Sequence, residues 1–174
     1  MNDSVITILA IFALLSQAFV GLVLLLFLIG RAGVPHARNL LRDLGLIVGP
    51  NSLWLAFIVA SISMAGSLYF SEGKHFVPCN LCWYQRIAMY PLVPLLLLAA
   101  IRKDRTVRVY VLIQAAIGAA ISSYHLLVER NIVHESVGTC GRFTTCATDW
   151  LASYDVGYLT IPTMALSGFA LLVT

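Results

Sequence analysis

The sequence predicts an all-α integral membrane protein of five transmembrane helices with its N-terminus outside, and three observations carry that reading. Apolar residues make up 60% of the 174 and charged residues 11%, against roughly 25% charged in water-soluble domains. The apolar residues stand in five blocks instead of at amphipathic spacing, so no helix has a polar face to turn to water. The basic residues gather in two short loops between those blocks.

The blocks are 5–29, 53–70, 83–101, 109–128 and about 151–173. Each reaches or approaches the roughly 17–25 residues that a helix needs to cross hydrocarbon. A bilayer offers no water to backbone groups, so each should be helical. The first block reads as a retained helix and not a cleavable leader. Its flank Met1-Asn2-Asp3-Ser4 has no basic residue, and the apolar run is too long for a leader's core.

Positive charge in short loops sets orientation. The loop after the first helix carries Arg31, Arg38 and Arg42, and the loop after the third carries Arg102, Lys103, Arg105 and Arg108. These loops fall on one face when all five blocks span, which makes that face cytosolic. The segments 71–82 and 129–154 are then outside, and all four cysteines with them. An even number of cysteines in an oxidising compartment favours disulfides. The net charge of +3 belongs to the inner loops facing anionic lipid and requires no nucleic-acid partner.

In chain order, helix one reads as a lipid-facing anchor with no catalytic role. The inner loop 31–52, with Gly33, Pro35, Gly45, Gly49 and Pro50, holds at most a short surface helix around 37–44. Helix two presents Ser61, Ser63, Ala65, Gly66 and Ser67, small residues that let membrane helices approach closely, so it should be central. Helix three contains Pro91 and Pro94 and should kink. Helix four gathers Ser122, Ser123, Tyr124 and His125 at its outer end, and a long polar loop carrying Cys140 and Cys146 follows.

The chemistry concentrates in Cys79-Asn80-Leu81-Cys82-Trp83-Tyr84-Gln85-Arg86. Two cysteines at this spacing can close a small ring at a helix start. The second sits in the first turn, where backbone N–H groups and the helix dipole favour a thiolate. Arg86 lies one turn deeper on the same face, about 6 Å along the axis. It would favour the Cys82 anion and could donate to a carbonyl oxygen of a ligand. His125 should lie at matched depth on the next helix, and intramembrane ionisable groups are usually functional, so the pair suggests a shared pocket. The blander readings are a snorkelling arginine, a packing histidine, interfacial aromatics at Trp83, Tyr84, Tyr90, Trp150 and Tyr154, and a zinc or purely structural disulfide set built from the four cysteines.

This stretch resembles the signature of the DsbB/BdbC family of disulfide bond formation proteins, in which a Cys-x-x-Cys opens a transmembrane helix and arginine follows four residues later. The resemblance implies a four-helix bundle over 53–174, with 1–30 an added N-terminal transmembrane helix and 31–52 a cytoplasmic loop. It implies a thiol oxidoreductase of the bacterial cytoplasmic membrane with its cysteines on the extracytoplasmic side. Catalysis would rest on Cys79, Cys82, Cys140 and Cys146, and a quinone, ubiquinone or menaquinone, would be bound by Cys82, Arg86 and His125. Cys140 and Cys146 would take electrons from a DsbA-like thioredoxin-fold oxidase, with Cys146 exchanging with Cys79. The close spacing of that loop pair is more similar to the BdbC branch. Two other readings are a vitamin K epoxide reductase-like enzyme, whose loop pair precedes its Cys-x-x-Cys along the chain, and a non-enzymatic membrane protein.

Overall fold

A computed structural model describes residues 3–133, 146, 148–154 and 157–174. Among these the chain is helical without strands: α1 Ser4–Arg31, α2 Pro35–Val48, α3 Ser52–Leu68, α4 Asn80–Met89, α5 Leu92–Arg102, α6 Arg108–Glu129 and α7 Ile161–Val173. Four helical runs are long and apolar enough to cross a membrane: Ser4–Arg31, Pro35–Gly73, Asn80–Arg102 and Arg108–Glu129. α7, with 13 residues, is about 20 Å long at 1.5 Å per residue.

The four long runs bring different residues to the two ends of the bundle. At one end Arg31 closes α1, Arg102 closes α5, and Arg108 opens α6 and donates to Ser52 Oγ at the start of α3 (3.1 Å). At the other end lie Asp3, the α3 terminus, Cys79, Glu129 and Thr160. Lys74 pairs with Asp3 there, Tyr69 donates to Asp3 (2.8 Å), and Thr160 donates to Glu129 (2.7 Å). Arg31, Arg102 and Arg108 thus lie at the end opposite the Cys-x-x-Cys, while Lys74 lies at the same end as it.

Sequence chemistry sets the local breaks. Asp3 caps α1 by accepting from the Val5 amide at 3.0 Å. Pro91 has no N–H to continue the ladder, so α4 stops and α5 restarts after it; Pro94 falls in the first turn of α5, where no donor is missed. The predicted kink is therefore a break between two helices forming one span. The surface helix expected near 37–44 is longer, running Pro35–Val48, with exposed Leu46 and Ile47.

The last helix begins at Ile161, ten residues later than expected. Trp150, Leu151 and Tyr154 belong to an irregular stretch with a short 3₁₀ turn, Gly157 takes φ +67, and Pro162 then starts the helix. Hydropathy alone had merged this stretch with the helix. The core runs between α3, α5, α6 and α7, around Ala60, Leu92, Leu96, Ala115 and Phe169. Gly118 permits the closest approach: a Cβ there would stand 2.2 Å from the Phe169 ring.

Candidate functional site: two cysteine sites and an apolar cavity

α3 ends in a π-helical turn over Tyr69–Gly73, and a segment without regular structure, with His75 at φ 57, carries the chain to Cys79. Cys79 is the N-cap of α4. Its sulfur accepts from the Cys82 amide at 3.4 Å, the place an aspartate or serine oxygen usually takes. Both cysteines are free, their sulfurs lie 3.2 Å apart, and with Cys79 ionised the Cys82 thiol donates to it. Cys79 is buried at 5% exposure. The hydrogen bond from the Cys82 thiol, then one from His125, holds its thiol well below the usual range against the opposing effect of burial. The cap position gives the anion to Cys79 in this reduced state, where the spacing alone had favoured Cys82.

Cys146 is in a disulfide and lies against the same small cluster as Cys79, Leu81 and Val128. The sulfurs of Cys79 and Cys146 and a ring nitrogen of His125 all lie within 4.8 Å of one another. A sulfur held in a disulfide is not the anionic ligand that zinc requires. Cys140 lies outside the described residues, as do His134 and Glu135.

His125 is buried at 3% exposure. Its Nδ1 lies 3.1 Å from Gln85 Nε2, and its Nε2 lies 3.2 Å from the Cys146 carbonyl oxygen and 3.7 Å from Cys79 Sγ. Assigned on these partners, Nδ1 accepts from the Gln85 amide and Nε2–H faces the sulfur and the carbonyl. His125 and Arg86 therefore do not share a pocket. Arg86 lines the cavity and His125 does not; Gln85, bonded to His125, stands between the histidine and the cavity.

That cavity has a volume of about 170 Å³. Its walls include Cys82, Gln85, Arg86 and Met89 from α4, residues of α3 and α7, Phe76 and Trp150, and Leu9, Phe12, Ala13 and Ser16 from α1. Arg86 is 9% exposed; its Nε donates to Ser67 Oγ (2.9 Å) and its Nη2 to the Ser67 carbonyl (3.0 Å). Tyr90 also donates to Ser67 Oγ (3.3 Å). Among the described residues Lys74–Asp3 is the one ion pair, so Arg86 holds neutral acceptors and no carboxylate. Trp83 lies outside the lining, half exposed, with the Arg86 guanidinium 5.2 Å over its ring. Trp150 lines the cavity, stacked on Phe76 at 5.1 Å.

Residues 50–172 match the model of the family described as disulfide bond formation protein DsbB. The chain belongs to the DsbB family. It is 43% identical over 121 residues to disulfide bond formation protein C of Bacillus subtilis, covering 70% of this chain and 86% of the relative. A probable disulfide formation protein of Deinococcus radiodurans is 42% identical over 128 residues, covering 70% and 83%. One of Oceanobacillus iheyensis is 41% identical over 124 residues, covering 71% and 83%. No solved structure matches the chain. As a DsbB-family protein it is a multi-pass membrane thiol oxidoreductase that works in disulfide bond formation.

Sequence reasoning missed Gln85, Ser67 and the α1 wall. A glutamine inside an apolar helix was a signal, since a buried amide needs a partner. Ser67 was noted only as a small residue, and its role as the acceptor for Arg86 depends on how α3 meets α4.

Proposed function

We propose that this protein reoxidises a DsbA-like thioredoxin-fold dithiol and passes the electrons through two cysteine pairs to a membrane quinone. The observation that carries the reading is a continuous path. Cys146 Sγ lies within 4.8 Å of Cys79 Sγ, Cys79 Sγ lies 3.2 Å from Cys82 Sγ, and Cys82 opens onto the cavity beside Arg86. Residues 53–174 form the redox unit, 1–30 are an addition to it, and 31–52 are a cytoplasmic connection. The setting is the bacterial cytoplasmic membrane with the cysteines outside, a reading supported by Arg31, Arg102 and Arg108 lying at the opposite end.

The exchange balances as follows. A thiolate of the reduced partner attacks Cys140 of the Cys140–Cys146 disulfide and releases Cys146 as thiolate. The partner's second thiol then closes its own disulfide and frees Cys140. Cys146 attacks Cys79 in the oxidised Cys79–Cys82 pair, expelling Cys82. Cys140 then attacks Cys146, restoring the loop disulfide and freeing Cys79. The outcome is a reduced Cys79–Cys82 pair beside an oxidised Cys146, the state described above. His125 and the Cys82 thiol stabilise the Cys79 anion, which makes it the better leaving group in the last step.

The cavity suits an aromatic ring in size and character, since a dry apolar cavity of about 150 Å³ takes up benzene. Cys82, Gln85 and Arg86 would hold a quinone there, and it would supply a two-electron, two-proton acceptor that leaves as the quinol. Cys82 lines the cavity, and closing the Cys79–Cys82 disulfide would release the two electrons. Arg86, with N–H donors beyond the two that Ser67 takes, supplies positive charge where oxygen charge develops. Replacing Cys82 with serine should abolish reduction of ubiquinone or menaquinone analogues by a reduced thioredoxin-fold partner. Normal turnover in that variant would sink the proposal.

A further inference from the structure

The helix that the sequence marks as an anchor is built into the cavity. We propose that α1, all of which precedes the family-matched residues 50–172, is a ligand-binding wall that sets the affinity of the cavity for its quinone. This deepens the reading above and rests on it.

Leu9, Phe12, Ala13 and Ser16 line the cavity across from Cys82 and Arg86. They fall at i, i+3, i+4 and i+7, one stripe of a helix. The neighbouring residues Ile8, Ile11 and Leu15 are 51%, 51% and 61% exposed and face outward. The helix thus has two apolar faces of different use, which is why its hydropathy shows no amphipathic pattern.

Polar contacts fix its rotation. Ser16 Oγ donates to the Ser167 carbonyl (3.2 Å), Gln17 Nε2 donates to Ser167 Oγ (2.8 Å), and the Tyr158 hydroxyl donates to Gln17 Oε1. Asp3 ties the outer end through Lys74 and Tyr69. Inside an apolar phase such bonds are costly to leave unmade, so they hold the stripe on the cavity. Leu9 also closes over Gly66, where an added Cβ would stand 3.1 Å from its side chain.

The recognition this wall offers follows from its chemistry. Ser16 spends its hydroxyl proton on α7, so α1 presents shape and apolar surface, and the polar contacts to a ring come from the α4 side. A ring with apolar substituents is the ligand class that such a division suits. Ala13 is the small position in the stripe, and its size limits the space left for the ring.

The test uses the full chain in detergent or nanodiscs. Binding of a short-tailed benzoquinone and a short-tailed naphthoquinone is titrated by quenching of tryptophan fluorescence, Trp150 being part of the wall. Thiol exchange from reduced partner to Cys79–Cys82 is followed separately without quinone. Filling the cavity with Ala13→Phe should weaken binding of both probes by roughly tenfold or more. Phe12→Ala, at a half-exposed position, should change affinity by about threefold or more. Both should leave quinone-free thiol exchange intact, and lipid-facing Ile11→Ala should bind as the parent does. If the parent binds and Phe12→Ala and every folded Ala13→Phe sample bind equally well, α1 is only an anchor and the proposal falls. If the parent itself binds neither probe, the quinone reading fails first.

Discussion

At the start of α4 a sulfur does the work of a capping oxygen, and that substitution governs the reactivity of the pair. Cys79 accepts from the Cys82 amide, the Cys82 thiol and His125, all of which favour its anion. A depressed thiol pKa keeps the anion as pH falls. Alkylation of reduced Cys79 should therefore stay near its maximum through about pH 6, where an ordinary thiol of pKa near 8.5 is almost fully protonated. The same sign applies to stability: the reduced form gains from the anion above the unfolded thiol value and loses this as pH falls through the lowered one. His125→Ala should move the alkylation midpoint to higher pH, and an unmoved midpoint would leave His125 a packing residue. Arg86→Ala should raise the apparent KM for quinone several-fold, roughly the loss of one charge-assisted hydrogen bond; an unchanged KM would return Arg86 to the snorkelling class. The cysteines and Arg86 stood out in the sequence because charge and sulfur beside an apolar run are conspicuous. The partners Ser67 and Gln85 did not, since which hydroxyl or amide meets them is decided by how α3, α4 and α6 turn about their axes.

Element by element, the sequence was most legible where hydropathy and proline act locally. The four long spans and the break at Pro91 follow from block length and a missing N–H. The start of α7 did not, because residues 151–160 are apolar enough to extend a block while a Gly157 turn and Pro162 put the helix start at Ile161. The closeness of α6 and α7 also depends on tertiary fit. Phe169 is fully buried against Gly118, so Gly118→Ala should cost roughly 1–3 kcal/mol or more through overpacking. A thermal melt in detergent would read this as a lower midpoint, and a parent-like midpoint would mean that the helices can separate without loss.

Among the described residues, one end of the bundle holds Cys79, Cys82 and Cys146 and the other Arg31, Arg102 and Arg108, while the cavity lies between α1, α3, α4 and α7. On the proposed pathway electrons would pass from buried Cys146 through Cys79 to Cys82, which lines a ring-sized space within the bundle. The most direct test is an anaerobic single turnover. One equivalent of quinone is added to protein whose Cys79–Cys82 pair has been reduced, and thiols and quinone absorbance are followed together. The account predicts that two thiols vanish for each quinone reduced, and that Cys82→Ser loses neither thiols nor quinone absorbance. Quinone reduction by the Cys82→Ser protein at the parent's rate and stoichiometry would contradict it.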